Sequence, residues 1–308
     1  MIKAGLVNMD TSHPRCFADV MQRMGRVRYA AIYDDSFRSG LEIEAFIQKY
    51  GLEKRCTSLE ELAEITDVGF IHGCNWDDHL RCAETFWRRK KPVFIDKPVV
   101  GCLRDCRRIR DWVERGAVIL GSSSVRYAEE IKQFLKIPVE TRGEIISLSA
   151  SVGMDEFNYG IHIAEAIGGL LPGRAETVRH IGRAERAGQT AHSYCISFPA
   201  GQTAIMTILN GVWQPFALTV LTTKGTYPLL LDSDRLYESL LAELCDYLEG
   251  KPNHLASAEE LLDSVEMMLA ALASRESDGK EVALANLKET MPSYNGREFW
   301  EGYRRRAK

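Results

Sequence analysis

The 308-residue sequence lacks any apolar run approaching the ~20 residues that a membrane-spanning helix needs, so no membrane partner is expected. It also lacks a surplus of either charge. Charged residues make up 27% and the formal net charge is −4, which gives no electrostatic case for a nucleic-acid partner. Its eight cysteines (Cys16, Cys56, Cys74, Cys82, Cys102, Cys106, Cys195, Cys245) never form a Cys-x-x-Cys pair, which removes zinc-ribbon and thioredoxin-type motifs. Scattered thiols without a secretory leader fit a reducing cytoplasm. No internal repeat or low-complexity tract occurs. One further absence is local: the first loop, Asn8-Met9-Asp10-Thr11-Ser12-His13, contains no glycine.

What is present is a core-forming chain, 45% hydrophobic and of a length ordinary for two domains. Ile2 to Val7 reads as a strand. A helix follows, capped at Thr11 or Ser12, with Pro14 in its first turn and Phe17, Val20, Met21 and Met24 on one face. The strand Val27 to Tyr33 closes on Asp34-Asp35. Helices at 41–50 and 59–65, a strand at 68–73, a helix at 79–88, the strand Val93 to Ile95, a helix at 103–115 and a strand at 117–121 complete the series. Strict β-α alternation with short loops predicts a doubly wound, Rossmann-type parallel sheet over residues 1–121. Beyond Ser122-Ser123-Ser124 the pattern changes. Strand-like runs at 144–152, 177–181, 192–198, 202–210, 216–222 and 227–231 follow closely, with helices at 129–135, 159–170, 235–248 and 258–274. This predicts an α+β domain over 122–308 with a mostly antiparallel open sheet. Alternating Ala204, Met206 and Ile208 suggest that the sheet face left open by the helices is itself partly buried, as in a homodimer or homotetramer joined through that sheet. The basic stretch from Trp300 to Lys308 reads as a surface tail or packing arm.

Chemistry concentrates in three places. Val93-Phe94-Ile95 ends in Asp96-Lys97-Pro98, and the carboxyl ends of strands are where α/β sheets bind ligands. In the first loop the side chains of Asn8, Thr11, Ser12 and His13 can donate to a phosphate, whereas Asp10 repels one; a plain helix cap explains the same residues. Asp34 stands where dinucleotide-binding sheets hold the ribose hydroxyls, with Asp35 making the register ambiguous. Asn158 and His162, four apart, share a face on the expected helix; a histidine beside an amide can position a hydroxyl and move its proton. A buried core histidine is the plain alternative. Asp155, His162 and Glu165 offer a metal reading as well, disfavoured because no second histidine sits at ligand spacing, so no metal is expected.

These features, in this order, resemble the glucose–fructose oxidoreductase and inositol dehydrogenase family (Gfo/Idh/MocA) over nearly the whole chain. Its Glu-Lys-Pro motif is matched by Asp96-Lys97-Pro98, and a histidine eighteen residues before the lysine by His79. The segment before that histidine, usually Thr-Pro-rich, stands as Cys74-Asn75-Trp76. Arg126 matches an arginine opening the second domain, Asn158 to His162 an Asp-x-x-x-His helix, and Ser274 to Val282 the closing helix and turn. The resemblance implies an NAD-dependent oxidoreductase, with NADP disfavoured by Asp34, moving a hydride to or from a sugar, cyclitol or related polyol. Lys97 would contact nicotinamide and a substrate hydroxyl, His162 would transfer the proton, Asn158 would orient substrate and Arg126 would stand at the substrate side. Asn8, Asp10, Thr11, Ser12, His13, Asp34, Cys74, Asn75, His79, Asp96, Lys97 and Pro98 would line the cofactor. Two departures keep other readings open. The family's three loop glycines fall on Asn8, Asp10 and His13, and its catalytic aspartate falls on Asn158. A non-catalytic sugar- or nucleotide-binding sensor, or a non-redox lyase or epimerase, uses the same scaffold.

Overall fold

A computed structural model describes residues 1–121 and 123–307; Ser122, in the expected domain boundary, and Lys308 lie outside the described residues. The chain begins β1 (Ile2–Val7), α1 (His13–Met24), β2 (Val27–Tyr33), α2 (Gly40–Tyr50), β3 (Lys54–Arg55), α3 (Leu59–Ile65), β4 (Val68–Ile71), α4 (His79–Trp87), β5 (Val93–Ile95), α5 (Leu103–Glu114) and β6 (Ile119–Gly121). The six strands pair in the order β3-β2-β1-β4-β5-β6, all parallel. The order reverses between β1 and β4, which opens a crevice at their carboxyl ends. α1 forms where expected: Pro14 lies in its first turn, Phe17, Ala18, Val20 and Met21 are buried, and Gly25 ends it at φ 65°. Strands β1, β4 and β5 are buried on both faces, hence their unbroken apolar runs.

The second half runs α6 (Glu129–Lys136), α7 (Val139–Arg142), β7 (Ile145–Met154), α8 (Gly160–Leu170), β8 (Thr177–Arg186), β9 (Gln189–Ser197), β10 (Thr203–Asn210), β11 (Ala217–Thr222), β12 (Thr226–Leu230), α9 (Leu236–Leu248), α10 (Ala258–Glu276), β13 (Val282–Ala283) and α11 (Gly296–Arg306). Its seven strands pair as β12-β11-β7-β10-β9-β8-β13, with β7 and β10 parallel and the remaining pairs antiparallel. The fold class is therefore the expected one.

Two details differ from the sequence reading and two add to it. β8 and β9 run on into a long hairpin turning at Ala187 and Gly188, both at positive φ; its charged tip hides the apolar period. Ala204, Met206 and Ile208 are fully buried, and the side chains of Ile208 and Met268 both close on Gly160, so this face of β10 is turned to the helices α8 and α10. The open face carries Thr203, Ile205 and Thr207 instead, beside Ser149, Ser151 and Ser193 on the neighbouring strands. Packing also crosses the expected boundary at 121. Leu240, Leu241, Leu244 and Cys245 of α9 share a core with Leu6, Phe17 and Phe94 of the first sheet layer. Finally, the basic C-terminal stretch is the packing arm of the two alternatives: it is helical and packs on Phe37 and Trp76, beside the loops after β1, β2 and β4.

Candidate active site

The loop after β1 keeps the turn that a glycine would normally make. Asn8 takes φ 62°, a left-handed conformation that asparagine tolerates better than most residues. Its Oδ1 accepts from the Asp35 N–H at 2.9 Å. Thr11 accepts the His13 N–H, and Ser12 opens α1 without a side-chain cap. At the helix start the His13 ring turns toward β5, and its Nδ1 lies 2.7 Å from Asp96 Oδ2. His72, at the end of β4, meets the same oxygen at 2.7 Å, and its other nitrogen meets Tyr29 Oη at 2.7 Å. Burial alone would raise the Asp96 pKa; the His13 and His72 rings outweigh it and hold this carboxyl well below the usual range. Asp96 Oδ1 accepts the Lys97 N–H, and the Lys97–Pro98 peptide is cis. The strand-end acid thus orients two rings and the start of the lysine segment.

Lys97 reaches across to the second half of the chain. Its Nζ donates to Asn158 Oδ1 at 3.0 Å and to the Asn158 carbonyl at 3.1 Å, with Nζ 5.6 Å from the Tyr159 ring centre. Burial lowers the Lys97 pKa from its ordinary value, against the pull of Asp96 and Asp155. Asn158 lies in the turn before α8 rather than on it, fixed by Asp155 Oδ1, which accepts its N–H at 2.6 Å. Asp155 is itself a carboxylate close enough to act on the Lys97 charge, and burial raises its pKa. On α8, His162 is buried; its Nδ1 is 2.5 Å from Ser123 Oγ. Burial, with the charges of Lys97 and His13, holds the His162 pKa well below the ordinary histidine value. The rings of Tyr159 and Phe216 pack beside His162, and Tyr237 of α9 lies edge-on to His13 at 5.5 Å. Lysine, amide and two histidines ringed by aromatics make a site suited to proton transfer on a hydroxylated molecule.

The remaining expected residues are placed as follows. Arg126 pairs with Glu260 and donates to the Glu165 carbonyl; none of its hydrogen bonds reaches Lys97, Asn158 or His162. His79 bridges the carbonyls of Val99 (2.9 Å) and Gly73 (2.7 Å), which ties the β4 and β5 loops together. Asn75 caps a 3-10 turn at Trp76–Asp78. Asp34 turns inward, accepting the Met9 N–H at 2.9 Å and both the N–H and the hydroxyl of Ser36. Asp10 is buried at 1% exposure, accepts the Cys74 N–H at 2.9 Å, and leaves Oδ1 without a partner. Among the described residues no group of three or more His, Cys, Asp or Glu is arranged to hold a metal. Sequence reading missed Ser123, Asp155, Tyr237 and the Tyr29–His72 extension of the Asp96 network. In that reading Asp155 stands only as a candidate metal ligand and Ser123 only as part of a boundary; the others come from segments far apart in the chain.

The fit of a dinucleotide divides the site. At the Lys97 end the donors and acceptors above suit a ring and a reacting hydroxyl. At the adenosine end the groove is roofed. Trp300 and Arg297 of α11 close it against Asn8, Asp10, Asp35, Ser36, Gly73 and Asn75, which leaves a cavity of about 120 Å³. Pockets for drug-sized ligands hold ~300–1,000 Å³. The enclosed part of the groove here is thus smaller than a nucleotide pocket, with Trp300 and Arg297 on one wall.

No family model and no curated protein matches the sequence. Solved structures do match the fold. An oxidoreductase from Thermotoga maritima superposes with TM-score 0.77 at 18% identity, over 93% of this chain and 99% of that one. A scyllo-inositol dehydrogenase from Lactobacillus casei, with bound NAD(H) and scyllo-inositol, gives 0.77 at 14%, over 93% and 100%. A putative NADPH-dependent oxidoreductase from Desulfitobacterium hafniense gives 0.77 at 17%, over 92% and 98%. The chain has the fold of the inositol dehydrogenases and their oxidoreductase relatives, as the resemblance implied.

Proposed function

We propose that this protein acts on a hydroxyl or keto group of a sugar, cyclitol or related polyol as a nicotinamide-linked oxidoreductase, with NAD preferred. The observation that carries the reading is the Lys97–Asn158 contact, at 3.0 and 3.1 Å, which sets a strand-end lysine of the parallel sheet beside α8 and His162. Two of the three Lys97 donors are taken by Asn158, and the third is free for a substrate oxygen. His162, held neutral by burial, accepts the hydroxyl proton as the oxygen becomes a carbonyl and returns it in reverse. Asn158 orients a neighbouring hydroxyl. Asp155 supplies the negative charge near Lys97 that Asn158 lacks. The preference for NAD rests on Asp34 and Asp35 at the end of β2, which oppose a 2′-phosphate. The aromatic rings of Tyr159, Phe216 and Tyr237 give apolar faces to a polyol ring.

A second reading, a lyase or epimerase that needs no dinucleotide, is favoured by the roofed groove and by the His13–Asp96 pair, a second acid–base group beside Lys97. The two separate in one experiment. The protein is incubated with cyclitols and aldoses, with and without NAD, while reduced cofactor and proton exchange at carbon are both followed. Cofactor reduction supports the first reading. Exchange without cofactor supports the second and removes the first. We also propose self-association through the open face of the second sheet.

A further inference from the structure

We infer that α11 is a hinged lid over the crevice at the ends of β1, β2 and β4, and that a dinucleotide reaches the crevice only when this helix swings away. The inference rests on the oxidoreductase reading and adds control of access to it.

Position is the first argument. The reversal in strand order makes this crevice the expected ligand site of the sheet, yet Trp300 and Arg297 form one wall of what remains of it. The Trp300 indole lies near enough to the Asp10 carboxylate to favour its charged form, and Trp300 and Tyr303 pack on Phe37, 5.9 and 6.3 Å between ring centres, just past β2. Trp300 thus stands at the side of the crevice where the adenosine of a dinucleotide would lie.

Attachment is the second. Within α11 only Gly296 is buried; Phe299, Trp300 and Tyr303 are half-covered, and Arg297, Arg304, Arg305 and Arg306 are exposed. One main-chain hydrogen bond, from the Arg297 N–H to Asp77 Oδ2 at 3.0 Å, ties the helix start to the body. Its apolar hold on the body is Phe299, packed on the buried Trp76 at 5.0 Å between ring centres, with Trp300 and Tyr303 on Phe37; a helix held by so short an apolar stripe opens at lower cost than a core helix. The stem is different. Tyr294 stacks on Phe157 at 4.0 Å, its N–H bonds the Gly101 carbonyl at 3.0 Å, and its own carbonyl accepts from Trp76 Nε1 at 2.9 Å. A pinned stem and a loosely held helix meet at Asn295 and Gly296. A Cβ on Gly296 would meet the Asp77 nitrogen at 2.7 Å, so the closed position requires glycine there.

The test uses the full chain. NADH is titrated calorimetrically into wild type and into Phe299→Ala/Trp300→Ala, and amide exchange across residues 296–306 is followed with and without NADH. A lid that is mostly closed weakens apparent affinity by the closed fraction, so the variant is expected to bind NADH at least about tenfold more tightly. In wild type, NADH is expected to speed exchange in α11. Equal or weaker binding by the variant, with α11 slowed by NADH, overturns the lid and leaves the oxidoreductase reading standing, with Trp300 part of the cofactor site. If neither protein binds NADH or NADPH, lid and redox reading both fall.

Discussion

Lys97 and Asn158, 61 residues apart, are joined by two hydrogen bonds from one ammonium group, so the parallel sheet and the start of α8 meet at the candidate reacting centre. Removing Lys97 takes away the donor to substrate and leaves both Asn158 acceptors unmatched. Lys97→Ala is expected to lower turnover by on the order of a hundredfold once a substrate is found, as for loss of a positioned acid–base group. Asn158→Asp restores the carboxylate of the resembling family and pairs with Lys97 directly. It is expected to keep or raise turnover. Steady-state kinetics of both variants decide this; full activity in Lys97→Ala removes the lysine from the mechanism.

His162 is 7% exposed and His72 1% exposed, and burial holds both pKa values below the ordinary one. In the unfolded chain each takes a proton near pH ~6.5. Below that pH the unfolded state binds more protons than the folded one, so stability is fully present above ~6.5 and is lost as pH falls toward the folded values. Each group adds a slope of up to about 1.4 kcal/mol per pH unit in that window. Urea denaturation from neutral to mildly acid pH is expected to show the loss, and His162→Gln to flatten it. A stability constant across this range in wild type counts against neutral buried histidines.

The parallel sheet was legible because strands buried on both faces need unbroken apolar runs, and Val93-Phe94-Ile95 ending in Asp96-Lys97 announces a functional strand end. The partners of those residues were not legible. Period-two alternation at Ala204, Met206 and Ile208 says that one face is buried, and it cannot say against what; the helices α8 and α10, not a second subunit, cover it. The turn before α8 hid its start, so Asn158 was placed on a helix face when Asp155 holds it in the turn. The histidine aligned with a loop glycine became a ring bonded to Asp96, 83 residues on, which local spacing cannot reveal. The arginine-rich end read as a tail or a packing arm, and it is the arm: a stripe of three residues, Phe299, Trp300 and Tyr303, was too narrow to decide between them in the sequence.

Glu266 of α10, with its side chain 1% exposed, pairs with Arg110 of α5 at 2.6 Å and with Arg174, which ties the two halves of the chain. Deleting one member of a buried pair leaves uncompensated charge, typically costing ~3–5 kcal/mol. Glu266→Ala is expected to lose about 2 kcal/mol in urea unfolding, below that range because Arg110 keeps Glu259, Arg174 keeps Asp263 and both keep some access to water. The exposed pair Arg115–Asp111 is the control, with Asp111→Ala costing less than about 1 kcal/mol. Equal effects at the two sites mean that Glu266 is not the tie.

The open face of the second sheet has Ile205 and Thr207 at its middle, flanked by Ser149, Ser151 and Ser193. Small side chains make a flat surface on which a second sheet can lie. Ile205→Arg puts a charge at its centre and is expected to convert an oligomer to monomer in light scattering, with folding intact by circular dichroism. A wild type that is monomeric at micromolar concentration removes the proposed assembly.

Asp10 carries a cost that the fold does not need. Burial raises its pKa and the nearby Asp34 charge adds to that, which the Cys74 N–H and the Trp300 indole offset only in part, and Oδ1 lacks a close hydrogen-bond partner. A carboxyl whose folded pKa lies above its unfolded value of ~3.9 destabilises the protein once pH exceeds the folded value, and costs nothing below the unfolded one. Asn keeps an oxygen for the Cys74 N–H and removes the charge. Asp10→Asn is therefore expected to stabilise the protein by about 1 kcal/mol at neutral pH, in the range seen for relieved functional strain, with the gain fading as pH falls toward ~3.9. If Asp10 serves the site, the gain comes with lower turnover, the usual trade between stability and activity. Thermal melts at neutral and acid pH measure the first effect, and kinetics on the same samples measure the second. A neutral-pH loss of stability in Asp10→Asn means that the charge is paired in solution and that the loop is held together by it.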